Sequence, residues 1–153
     1  FATGVLLFAG DNRHLFPPHH NSGWREASRK IQELGIDAAT PVVYPSPFIE
    51  AKSPVWRPDY PLPSFLYCYL QTYPVGGTPY LLPFETSPEA EAYAAKIAAG
   101  ALATSGKFYI YGGDINVHKW QEWFQLRNEP KGWRSRRLGP FGDVDVVVFE
   151  KTP

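Results

Sequence analysis

Apolar positions recur at helical spacing from Asn21 to Gly35, and a short apolar run follows. Trp24, Ala27, Ile31 and Leu34 share one face of a helix, while Arg25, Arg29, Lys30 and Glu33 fill the other. Asn21 or Ser22 suits the N-cap, where a side-chain oxygen takes an otherwise unpaired backbone N–H, and Gly35 suits the stop. A turn at 36–40 leads into Pro41-Val42-Val43-Tyr44, apolar on both faces as a strand covered from both sides should be. Pro45-Ser46-Pro47 is expected to end that strand, because proline withholds a ladder N–H.

From Glu50 to Thr78 the chain is dense in proline and aromatics; Ser64 to Tyr73 fits a short helix or a strand. A strand is expected at Pro79–Phe84. The next helix starts either with Thr86 and Glu89 as a capping box or with Ser87 as cap and Pro88 at the first helical position. Its apolar stripe is Ala90, Tyr93, Ala94, Ile97, Ala98 and Ala101, and Gly106 lies past its end. Lys107–Tyr111 is the next strand. Asp114 or Asn116 then caps a helix that turns Val117, Trp120, Trp123 and Phe124 inward. Trp133–Leu138 and Asp143–Lys151, joined by the turn Gly139-Pro140-Phe141-Gly142, are too close for a parallel crossover and should form an antiparallel hairpin. This order predicts one three-layer α/β domain over residues 11–153. Its sheet is mostly parallel with an antiparallel C-terminal hairpin, in the Rossmann-like or flavodoxin-like manner.

At 153 residues the chain suits a single core. Fifteen basic and fifteen acidic side chains cancel, so no overall field favours nucleic acid or an anionic membrane. Cys68 is the one cysteine, sits in the apolar run Phe65–Leu70, and reads as a buried inert thiol. The sequence starts at Phe1 and contains no Met, as a piece of something longer would. Residues 1–10 are apolar for too short a stretch to cross a bilayer, which takes ~20 residues. They read as a first strand or as the end of a transmembrane helix.

An open α/β sheet binds ligands where its strands end, so the candidate chemistry lies there. Gly112-Gly113-Asp114 follows a strand and opens a helix, which makes it a candidate anion-binding turn. It lacks the third glycine of a dinucleotide fingerprint and the Gly-Lys-Ser/Thr of a phosphate loop, and a plain turn with an Asp cap is the bland alternative. His14, His19 and His20 have no second ligand cluster at metal spacing, so no metal is expected. Ser46 lies outside any Gly-x-Ser-x-Gly elbow, and Glu50 and Asp59 have no defined separation. Trp133-Arg134-Ser135-Arg136-Arg137 mixes an aromatic with arginines, yet an edge strand guarded by charge explains it better than nucleic acid does.

Several short features come together in one order. Asn21-Ser22-Gly23-Trp24-Arg25 opens the first helix, Val42-Val43-Tyr44-Pro45-Ser46 ends the first strand, and Pro47-Phe48-Ile49-Glu50-Ala51-Lys52 continues the loop. An Ala-rich helix and a last strand ending Phe149-Glu150-Lys151 follow. This order resembles the C-terminal soluble domain of bacterial multi-spanning GT-C glycosyltransferases of the protein-mannosyltransferase and aminoarabinose-transferase type. That family often starts its helix with Glu-Asp-Trp-Arg; here Trp-Arg is kept and the acidic pair is absent. The resemblance covers nearly the whole chain and makes residues 1–10 the end of a last membrane helix. It implies an extracytoplasmic, periplasmic domain, tethered to the transmembrane portion of its own chain, near a sugar carried on a polyprenyl phosphate. The domain would cap the active site or help select the acceptor, catalysing nothing alone and needing no cofactor. His19, His20, Trp24, Arg25, Tyr44 and Glu50 would then form the substrate or docking loop. Two other readings stand beside it: a free-standing Rossmann-like transferase using Asp114 and the strand-end loops, and a non-enzymatic protein-interaction domain using exposed aromatics.

Overall fold

A computed structural model describes residues 22–46, 51–52, 56–57 and 72–152. The first helix, α1 (Ser22–Glu33), leads to β1 (Pro41–Ser46). Next come β2 (Thr78–Pro83), α2 (Pro88–Ile97), β3 (Lys107–Gly113), α3 (Asp114–Asn128), β4 (Trp133–Arg137) and β5 (Val144–Lys151). The five strands form one sheet in the order β2-β1-β3-β5-β4. Pairs β1/β2 and β1/β3 are parallel, while β3/β5 and β4/β5 are antiparallel. The fold is therefore mixed α/β and Rossmann-like, with a parallel core and an antiparallel end. Its first three positions, 2-1-3, are those of the flavodoxin-like order.

Strand alternation sorts the core into two layers. Val43, Phe108, Ile110, Val147 and Phe149 face α2 and α3, where Ala90, Ala94, Ile97, Val117, Trp120, Trp123 and Phe124 cover them. Val42, Tyr109, Tyr111, Val144, Val146 and Val148 face α1, which supplies Ala27 and Ile31. Because helices cover both faces, β3 and β5 carry near-continuous apolar runs instead of alternating ones.

Ser87 is the cap of α2: its Oγ accepts from Ala90 N at 3.2 Å, and Pro88 is the first helical residue. Past Ile97 the helix widens into a π turn at Ala98–Leu102, which brings Leu102 into the core and leaves Ala101 only partly buried. The expected stripe ended on Ala101, and the wider turn is what moves it by one residue. Gly106 closes the helix in the left-handed region at φ 69°. Asp114 is the first residue of α3, not its cap; Gly113 takes the cap position without a side-chain bond.

One strand end also differs from expectation. β1 runs through Pro45 to Ser46, paired with Leu82 and Pro83. Its ladder with β3 covers only Val42 and Val43, so on that side Pro45 breaks no pairing. Residues 1–21, including His14, His19 and His20, lie outside the described residues, as do Glu50, Asp59 and Cys68, and most of 64–73. Among the described residues no helix is long and apolar enough to cross a membrane.

Candidate functional site

The parallel strands β1 and β3 end side by side, and their continuations leave in opposite directions along the sheet: β1 toward β2, and β3 through α3 toward β4. In open α/β sheets a crevice forms at such a switch point. Gly112 keeps the two strand ends close, since a Cβ there would lie 3.2 Å from the Pro45 carbonyl oxygen.

On the α1 face three aromatics gather at these strand ends. Trp24 and Tyr111 meet edge to face at 5.2 Å between ring centres, and Tyr44 and Tyr111 lie 5.7 Å apart. The Tyr111 hydroxyl donates to the Trp24 carbonyl at 3.3 Å. Burial holds both phenols protonated well above the usual tyrosine range; for Tyr111 the neighbouring phenols of Tyr44 and Tyr73 add to it. The sequence-selected residues Trp24 and Tyr44 are thus brought together, through Tyr111. Arg25, one residue on, is exposed on the outer side of α1. His19, His20 and Glu50 lie outside the described residues.

On the opposite face the strand ends hold a charged cluster. Asp145, near the start of β5, pairs with Gly112 of β3 and points toward α3 with 0% exposure. His118 Nε2 lies 2.8 Å from Asp145 Oδ2, and the Nε of Arg137, from β4, donates to the same oxygen. The remaining oxygen, Oδ1, accepts the Val146 amide at 2.8 Å. A Cβ on Gly139 would come within 2.5 Å of that oxygen, so only glycine lets the hairpin turn close over it. An isolated carboxylate in this position would be untenable; a paired and hydrogen-bonded one is stable. As Asp145 is the acceptor, Nε2 is the nitrogen that donates to it, and in the neutral ring this tautomer puts the lone pair on Nδ1. Nδ1 faces Asp114 Oδ1 across 4.0 Å, too far for a direct hydrogen bond.

Two clefts flank the start of α3. One, about 240 Å³, is lined by Gly113, Asp114, Ile115, Asn116 and Asp143. The other, about 480 Å³, is lined by Glu85 and Thr86 after β2 and by Lys119 and Glu122 of α3. His118 sits one helical turn after Asp114 and one before Glu122, between the two. At the turn singled out as an anion candidate, the Asp114 amide donates to the Asp143 carbonyl at 2.9 Å. Two carboxylates, Asp114 and Asp143, line the cleft beside it. Among the described residues no group of three or more His, Cys, Asp or Glu side chains is placed to hold a metal ion.

His118 and Asp145 were missed in the sequence, although two signals were present. Asp114 and His118 have the i,i+4 spacing of facing helical residues, and Asp145 interrupts an otherwise apolar buried strand.

No family model matches the chain, and no curated protein does. Among solved structures the chain is similar to the protein-(glutamine-N5) methyltransferase (release factor-specific) from Alicyclobacillus acidocaldarius subsp. acidocaldarius DSM 446. The identity is 9% and the TM-score 0.37, over 86% of this chain and 93% of that one. A likeness of this size specifies no function. The resemblance to GT-C glycosyltransferase domains is corrected by these comparisons: no family model supports it, and the structure found is a methyltransferase. The Trp-Arg pair and the Val-Val-Tyr-Pro-Ser step that suggested it lie at a helix start and a strand end, features that an unrelated α/β sheet can also carry.

Proposed function

We propose that this chain is a Rossmann-like transferase domain whose reaction centre lies at the carboxyl ends of β1 and β3, with His118 as the proton acceptor. The observation that carries the reading is the 2.8 Å contact between His118 Nε2 and the fully buried Asp145 carboxylate, placed at the mouth of the sheet. An acceptor substrate with an O–H or N–H group would donate to Nδ1 from the Asp114 side of the ring. As that group attacks the donor, its proton passes to Nδ1, the transferred group joins the acceptor, and the donor leaves with the electron pair of the broken bond. Asp145 keeps the ring oriented and stabilises the imidazolium that forms. The larger cleft, about 480 Å³, is of a size to take the donor.

The test is a binding and transfer screen with nucleotides, sugar nucleotides and nucleoside sulfonium donors. Saturable binding that shifts the amides of 85–86 and 112–116 is expected for one class. His118→Gln should then lower the transfer rate by about 10²–10⁴-fold while leaving donor affinity in place. If no class binds, or if H118Q transfers as fast as the unaltered protein, the reading is wrong.

A further inference from the structure

Arg137 is held through one nitrogen. Its Nε donates to Asp145 Oδ2, while its two terminal amino groups have no partner among the described residues, and its side chain is 39% exposed. Those two groups form the end of a planar fork, the geometry that receives two oxygens of a carboxylate or phosphate at once. Most surface arginines sweep through many rotamers and lose that freedom on binding. This one is tethered at Nε, and the carboxylate holding it is itself held by the Val146 amide beside the close approach of Gly139. The fork is set before any ligand arrives, which lowers the entropic cost of capture.

Asp145 offsets Arg137; on its face of β4 the neighbouring side chain is Ser135, which accepts from Gln125, while alternation turns the exposed Arg134 and Arg136 to the opposite face. The opposing carboxylate of Asp114 lies across the imidazole, nearer Nδ1 than Nε2, with Asp143 lining the same cleft. Since His118 and Arg137 share one carboxylate oxygen, an anion on the fork would lie on the same face of the sheet as the ring.

We propose that Arg137 anchors a carboxylate or phosphate group of the substrate next to His118. The use of that anchor rests on the transferase reading; the anion binding itself does not.

Inorganic phosphate and acetate are the probes, followed by NMR at the Arg137 Nε–Hε resonance and the Gly139 amide. In the unaltered protein one or both probes should give a saturable shift at these groups. Arg137→Gln should abolish it. Arg137→Lys, which keeps the charge beside Asp145 and so the fold, should weaken it about tenfold, because a lysine cannot offer the fork. His118→Gln should leave it intact. Tighter binding of phosphate would mark a phosphorylated substrate, and tighter binding of acetate a carboxylate one. Absence of a saturable shift with either probe overturns the inference, as does equal affinity in R137K. Anion binding without any effect of H118Q on transfer would instead remove the transferase reading and leave the anchor standing.

Discussion

Asp145→Asn asks whether charge, and not shape alone, holds α3 to the hairpin. The side chain is fully buried, and Oδ2 takes both the His118 ring and the Arg137 guanidinium. Asparagine has nearly the same shape and can still accept the Val146 amide through its oxygen. Its amide nitrogen would then face Arg137 and His118, donor against donor. Hydrogen bonds to charged groups contribute ~1.5–3 kcal/mol each, and stranding a buried partner costs ~3–5 kcal/mol. Here the partners are not stranded: His118 and Arg137 are 37% and 39% exposed and regain water when released. The loss should therefore fall near the lower end, about 2–3 kcal/mol. Urea unfolding followed by tryptophan fluorescence measures it, with the slope unchanged if the folded state is otherwise intact. A loss under ~0.5 kcal/mol, the scale of ordinary surface substitutions, would refute the reasoning. A companion variant sharpens the test. Replacing Asp145 and His118 by Leu and Arg137 by Met removes the whole cluster, and apolar substitutes for buried ion pairs are often neutral or stabilising. The triple variant should be more stable than D145N yet inactive; if it is less stable, the packing described around Asp145 is wrong.

Three further outcomes follow from the fold. Tyr44 and Tyr111 should ionise well above the usual phenol range in an alkaline titration followed at 295 nm, since burial raises both phenols. The stability they contribute is fully present below the ordinary phenol value of 10.0 and is lost as pH rises past it toward the raised folded values. Tyr44→Phe should accordingly make alkaline unfolding less steep, and an unchanged pH profile would contradict the assignment. Gly23→Ala should destabilise although it improves helix propensity by about 1 kcal/mol. A Cβ there would lie 2.1 Å from the Phe141 carbonyl oxygen, backbone that cannot step aside, so a gain in melting temperature would contradict the docking of α1 against the hairpin turn. Leu102→Ala should cost about 2–5 kcal/mol in chemical denaturation, as for other fully buried leucines, whereas Ala101→Gly should cost only its propensity of about 1 kcal/mol. Reversed magnitudes would mean that the helix continues without its π turn.

Much of the fold was legible because single-element signals decide it. Ala27 and Ile31 recur on one face of α1, Ser87-Pro88 starts α2, Gly106 ends it, and Val144–Phe149 reads as a buried strand; each depends on neighbours within a few residues. The misreadings all involve something that such signals do not encode. Nothing in the alanine-rich run marks where a helix will widen by one residue, so Leu102 was not seen as core. Pro45 ends most strands, and its tolerance here depends on how far the β1/β3 ladder extends. Trp24 and Tyr44 were singled out, but what joins them is Tyr111, read only as a strand residue. The site was less legible than the fold for the same reason. His118 and Asp145 stand 27 residues apart, and their meeting is a property of strand order.

That strand order is what makes the cluster. A hairpin added in simple sequence order would place β4 against β3 and β5 outside it, two strands from β3, about 9.6 Å away at the usual spacing. Asp145 would then sit near a solvated edge with no histidine in reach. Instead β4 takes the edge and β5 returns between β4 and β3, antiparallel to both. Reversal places the beginning of β5 beside the end of β3, so Asp145 pairs with Gly112 at the end of the sheet where the parallel strands finish. The same return sets Arg137 diagonally across from Asp145 on one face, since Arg137 pairs with Val147 two residues along. α3, launched from Gly113, then crosses that face and brings His118 down onto the carboxylate one turn after its start. A buried aspartate, an imidazole and a guanidinium from three separate elements thus converge at the mouth of an α/β sheet through one topological choice. A strand inserted antiparallel between two parallel ones carries its first residues, not its last, to the ligand-binding end.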